Sequence, residues 1–228
     1  MRERFLEREL ARTLGVACRL ASAARPCELS ALSPREREQY AKLGGERRRE
    51  AWLCGRAAWK RLLRQLGEDQ DTARFSLPSE RFSLTHAAGL ALAIGVAPGS
   101  TLGIGVDLEL DRAPSPDAAR FFLTDEEQRA LAESDSRERA ALLLRLWTIK
   151  EALFKSDLEN HGRILKDYRL ATPLAATGVA RPIERAAEMH YASFALPRGF
   201  LSVALVPFPD PLHALPARRE RALAAQLL

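Results

Sequence analysis

Two carboxylates close the apolar run TLGIGVDLEL, residues 101–110. Side chains alternate along a strand, so Asp107 and Glu109 share a face with Gly103 and Gly105, while Leu102, Ile104, Val106, Leu108 and Leu110 form an apolar face opposite. The two acids would stand roughly 7 Å apart, close enough to repel unless a positive charge lies between them. Mg²⁺ suits that place, because it takes hard oxygen ligands, commonly one or two carboxylates together with substrate phosphates. On this view the glycines leave open room beside the acids for a bulky phosphorylated ligand. Taken alone, the pair reads more simply as surface charge on a solvated edge strand.

A second segment changes the balance. LWTIKEALFK, residues 146–155, has helical character and is expected to set Lys150, Glu151 and Lys155 along one side, Glu151 and Lys155 forming an i, i+4 pair. Such a pair on a surface contributes only about 0.2–0.5 kcal/mol. Beside Asp107 and Glu109, however, it supplies a third carboxylate and two ammonium groups, the inventory of a phosphate–Mg²⁺ site.

The elements that must position these groups follow from local signals. SPRE (33–36) is a capping box with proline at the first helical position, opening a helical region over 33–66 that Gly44-Gly45 divides. RFSLTHAAGLALAIGVAPGS (81–100) predicts two short strands joined at Ala88-Gly89, and TLGIGVDLEL a third. TDEE (124–127) is another capping box, ahead of a long helix over 137–155, and HYASFALPRGFLSVALVPF (190–208) predicts a hairpin turning at Pro197 and Gly199. The order, helices and strands followed by strand, helix and strands, predicts an α+β arrangement with room for two similar halves meeting near residue 102.

With 46% apolar and 29% charged residues, the chain of 228 is neither disordered nor fibrous and is long enough for a substantial core. No apolar run approaches the roughly 20 residues that cross a bilayer, and MRERFLERELART alternates acid and base, unlike a signal or transit peptide. The expectation is a cytoplasmic protein without a membrane partner. Cys18, Cys27 and Cys54 are odd in number and lack CxxC spacing, which argues against a disulfide framework or zinc site. A net charge of +5, concentrated in ERRREAWLCGRAAWKRLLR (46–64), favours an anionic partner or else is a solvated arginine-rich helix face.

GIGVDLE followed more than forty residues later by WTIKEALFK closely resembles the paired signature (I/V)G(I/V)D(I/L)E … W(S/T)xKEAxxK of the 4′-phosphopantetheinyl transferases. FSLTH (82–86) and LCGRAAWKRLL (53–63) resemble two further segments of that family, and the length matches its long, Sfp-like class. The resemblance implies transfer of 4′-phosphopantetheine from coenzyme A to a serine of an apo acyl or peptidyl carrier protein, with release of 3′,5′-ADP, by a monomer of two pseudo-symmetric halves, 1–102 and 103–228, each a small antiparallel sheet packed with a long helix, with the active site at their interface. It implies Mg²⁺ on Asp107, Glu109 and Glu151, with Glu151 as candidate base and Lys155 steadying the breaking pyrophosphate. Lys150 is expected as their electrostatic neighbour. His86 is expected near the 3′-phosphate, flanked by the hydroxyls of Ser83 and Thr85, with Arg49 and Arg56 as further phosphate contacts. Ala51 stands where many relatives carry arginine, so Arg47, Arg48 and Arg49 are all candidates for that contact. The glycine-lysine-proline segment usual before FSxSH is missing, and Thr85 replaces the common serine.

Two alternatives are a non-catalytic relative that binds coenzyme A or a carrier, and a basic nucleic-acid-binding protein. Against the second, the chain offers no recognised nucleic-acid motif, and its aromatics sit at helix-core spacing rather than among the basic residues.

Overall fold

Ser33 and Thr124 open helices by the same device. Each side chain accepts from the amide three residues on, Glu36 or Glu127, whose carboxylate accepts in return from the cap amide. The first box starts α2 (Pro34–Ala41); α3 (Glu46–Leu66) follows and ends at Gly67, whose φ of 71° suits a left-handed cap. The second starts α5 (Asp125–Glu133), which leads into α6 (Arg139–Ser156). Ahead of these pairs lie α1 (Glu3–Leu14) and the single turn α4 (Ala119–Phe122). This computed structural model describes residues 3–208 except 112, 184 and 186; residues 209–228, part of the expected second half, lie outside the described residues.

The fold is α+β, with two antiparallel sheets. The first has the order β1 (Cys18–Ala23), β3 (Leu90–Val96), β2 (Phe82–Ala87). The second runs β4 (Gly103–Leu110), β8 (Gly199–Val206), β7 (Met189–Leu196), β6 (Thr177–Pro182), β5 (Tyr168–Leu170). In each, a lone strand pairs with the second strand of a hairpin: β1 with β3, and β4 with β8. Ala88 and Gly89, with φ of 47° and 78°, make the tight β2–β3 turn.

Three apolar clusters hold these layers. One seats Trp59, Leu62 and Leu63 of α3 on one face of the first sheet, and another seats Leu146, Ile149 and Leu153 of α6 on the second. The third joins the opposite faces of both sheets: Leu20, Leu92 and Ile94 meet Ile104, Val106, Leu108 and Val203, with Leu6 and Leu10 of α1 over them. The apolar face expected of β4 is therefore core, except Leu102, which precedes the strand and is exposed. The three thiols are free. No helix among the described residues is long and apolar enough to cross a membrane.

Between the sheets, β2 lies beside β4 without a backbone ladder along its length. The Ser83 hydroxyl accepts from the Val106 amide at 3.0 Å and the Thr85 hydroxyl from the Leu108 amide at 3.2 Å, so side chains replace the missing carbonyls. This seam fixes the height of β4 against the first sheet.

Candidate active site

Gly103 and Gly105 set the distance between α6 and β4. A Cβ on Gly105 would lie 2.0 Å from the Ala152 carbonyl oxygen, and one on Gly103 2.0 Å from that of Ser156. The glycine face is thus filled by helix backbone, and the expected room for a ligand beside it does not exist. What the glycines provide is close approach. With α6 pressed on the strand, its side chains reach the next two residues of that face, Asp107 and Glu109.

Asp107 is buried at 4% exposure. Its Oδ1 accepts from Lys155 Nζ at 2.6 Å and from the Thr85 hydroxyl at 3.1 Å, while Oδ2 is buried without a hydrogen-bond partner. Burial and the charge of Asp107 push the half-buried Glu109 carboxyl up, against the Trp147 indole hydrogen bond and Lys155. Burial also pushes Glu151 up, with Lys155 opposing and Asp107 and Glu109 adding to it. Asp107 thus raises both glutamates, and Lys155, which pairs with Asp107, opposes it at both. Beneath them, Thr148 of α6 bonds to Ser202 at 2.7 Å, and Ser202, opposite Asp107 on β8, bonds to Ser193 at 2.9 Å.

Among the described residues no group of three or more His, Cys, Asp or Glu side chains is gathered closely enough to hold a metal ion. The donor set nevertheless fits a hard divalent cation: oxygen ligands only, an orphaned buried oxygen on Asp107, and more negative charge than Lys155 offsets.

The other expected residues separate. Lys150 is fully buried on a different side of α6, where its ammonium pairs with Glu127 at 2.7 Å and donates to the Tyr168 carbonyl. Successive helical residues point about 100° apart, so Lys150 cannot share the side of Glu151, and the expected row of three is corrected to Glu151 and Lys155. Ser83 and Thr85 are buried in the seam with β4. His86, on the other face of β2, is exposed and borders a cavity of about 1020 Å³ shared with Arg47, Arg48, Trp52, Arg56 and Leu84. Arg49 does not line this cavity; its Nε donates to the Leu43 carbonyl at 2.8 Å and its guanidinium lies 5.3 Å from the Tyr40 ring centroid. The hydroxyl bonds of Thr85 to Asp107 and of Ser202 to Thr148 were not anticipated. Small polar residues at inward positions of β2, β7 and β8 were the available signal.

The stretch from β4 through α6 to β6 also has relatives. Residues 103–188 match the family model described as the 4′-phosphopantetheinyl transferase superfamily. The segment is similar to that superfamily over less than half of the chain. The matched residues include Asp107, Glu109, Glu151 and Lys155, so the recognition made from DLE and WTIKEALFK is borne out at superfamily level. A solved structure of the Thermotoga maritima holo-[acyl-carrier-protein] synthase is similar at 20% identity and a TM-score of 0.39, covering 48% of this chain and 66% of that one. No curated protein matches.

Proposed function

We propose that the chain is a 4′-phosphopantetheinyl transferase of the long class, acting as a monomer in the cytoplasm, with residues 1–102 and 103–228 as its halves. It transfers the phosphopantetheine arm of coenzyme A to a serine of an apo acyl or peptidyl carrier protein. The observation that supports this reading is the Lys155–Asp107 pair where α6 crosses β4, with Glu109 and Glu151 near enough to feel the charges of both.

Asp107, Glu109 and Glu151 would hold Mg²⁺, which when bound neutralises charge on the coenzyme A diphosphate. The serine oxygen forms a bond to the β-phosphorus, the bond to the bridging oxygen breaks, and 3′,5′-ADP leaves. Glu151 is the group placed to take the serine proton. Lys155 balances the charge that grows on the departing diphosphate oxygen. His86, Arg47, Arg48 and Arg56, around the cavity, receive the nucleotide phosphate, while Ser83 and Thr85 act through the seam that holds Asp107.

The test is incubation with apo carrier proteins, coenzyme A and Mg²⁺, read by intact-protein mass spectrometry. A gain of one phosphopantetheine on the carrier serine is expected. No gain on any fatty-acid, polyketide or peptidyl carrier would overturn the proposal.

A further inference from the structure

Among the described residues Arg56 is a cation without a counter-ion. Its guanidinium lies 4.5 Å from the Trp52 ring centroid and 5.1 Å from that of Trp59, and it borders the cavity beside Arg47, Arg48 and His86. One nitrogen donates to the Thr72 hydroxyl at 2.8 Å, while Nε is buried with no partner. No ion pair involves Arg56 among the described residues, although Glu36 is near enough for its charge to be felt. Glu36 is fully engaged: it accepts from Lys60 at 2.7 Å, from the Ser33 amide at 2.8 Å, and from both the amide and hydroxyl of Thr72.

Thr72 thus stands between the two charges. It is completely buried, its hydroxyl proton committed to Glu36, so that a lone pair is left to accept from Arg56. Burying a cation unpaired is costly, and a guanidinium freed from this hydroxyl would be drawn toward Glu36. Held by Thr72 and the two indoles, it keeps donors available to the cavity, where a planar fork suits a phosphate.

We infer that Thr72 is a positioning residue that aims Arg56 at a phosphate monoester in the cavity, and so sets the preference for a nucleotide bearing a 3′-phosphate. This rests on the coenzyme A reading of the site. It assigns a function to a residue outside every motif of the sequence, in the short 3-10 turn Thr72–Arg74.

The experiment titrates the full chain calorimetrically with adenosine 3′,5′-bisphosphate and with adenosine 5′-monophosphate, and in parallel measures KM for coenzyme A and kcat. The wild type is expected to prefer the bisphosphate at least tenfold. Thr72→Val should lower that preference about tenfold and raise KM with kcat changed less than twofold, and Thr72→Ser should restore both. An undiminished preference in a folded Thr72→Val protein, or none in the wild type, overturns the inference. Should Thr72→Val fail to fold, Arg56→Lys decides: it keeps the charge but loses the fork, and an unchanged preference again overturns the inference. A chain that modifies no carrier, yet whose bisphosphate preference follows Thr72, would refute the transfer reaction and leave this assignment standing.

Discussion

Asp107 is held by two donors on one oxygen and by none on the other, an arrangement that leaves one lone-pair face for a cation. Asp107→Asn keeps the side-chain shape but removes the charge opposite Lys155. Transfer is expected to fall at least about 10²-fold, with the circular dichroism spectrum unchanged; near-wild-type turnover would exclude Asp107 from the metal set. Gly105 shows what residue types alone do not say. Its lack of a side chain was legible, but whether a ligand or another backbone uses the space was not, because DLE and KEA are far apart in sequence. Gly105→Ala places a methyl 2.0 Å from the Ala152 oxygen, and backbone on both sides cannot yield as a long side chain would. The cost is expected at about 1–3 kcal/mol, read as a lower urea midpoint, and an unshifted midpoint would contradict the contact. Arg49 was expected among the phosphate contacts, with Arg47 and Arg48 as alternatives, because Ala51 stands where many relatives carry arginine; of the three, Arg47 and Arg48 line the cavity and Arg49 turns to the Leu43 carbonyl.

The paired capping boxes set the helices by a device that sequence revealed only in part. Ser33–Glu36 and Thr124–Glu127 were readable as boxes; that each glutamate also receives a buried lysine from the next long helix, Lys60 or Lys150, was not, since the partners lie more than twenty residues on. The same pairing explains why Lys150 is diverted from the side of Glu151 and Lys155. Strands β1, β5 and β6 gave no sequence signal because they are short or polar, and β1 depends on acids of α1: Glu7 and Glu3 accept from its outward amides Leu20 and Ser22. Burial alone would push the Glu36 carboxyl up, but Lys60, Thr72 and the Ser33 amide outweigh it, leaving the group below its ordinary 4.5. A carboxyl depressed by folding stabilises above its unfolded value and loses that contribution as pH falls through the folded one. Glu36→Gln should therefore be less stable than wild type at pH 7, and the gap between their urea midpoints should close as pH drops below 4.5. A gap constant to pH 3 would show that the charge of Glu36 contributes nothing.

At the scale of the whole chain, the two sheets resemble separable halves in sequence order but not in packing. Trp59 lies over the first sheet and Trp147 on α6 over the second, yet both sheets turn their other faces into one cluster, where Leu92 and Ile94 meet Ile104, Val106 and Leu108. Cutting between them would expose that cluster and unpair the hydroxyl seam of Ser83 and Thr85, leaving the Val106 and Leu108 amides without acceptors. Each buried leucine or isoleucine so exposed forfeits about 1.5–3 kcal/mol, and several together exceed the margin of about 5–15 kcal/mol by which a domain is stable. Neither half should then persist when the other unfolds. The three tryptophans allow a direct measurement: a variant keeping only Trp59 reports on the first sheet, and one keeping only Trp147 on the second. Their fluorescence transitions in urea are expected to coincide with each other and with the loss of helical circular dichroism. Separated midpoints would mean that the shared cluster is too weak to couple the halves. The geometry of Asp107, which takes Thr85 from one sheet and Lys155 from the helix of the other, would then depend on two unfolding equilibria instead of one.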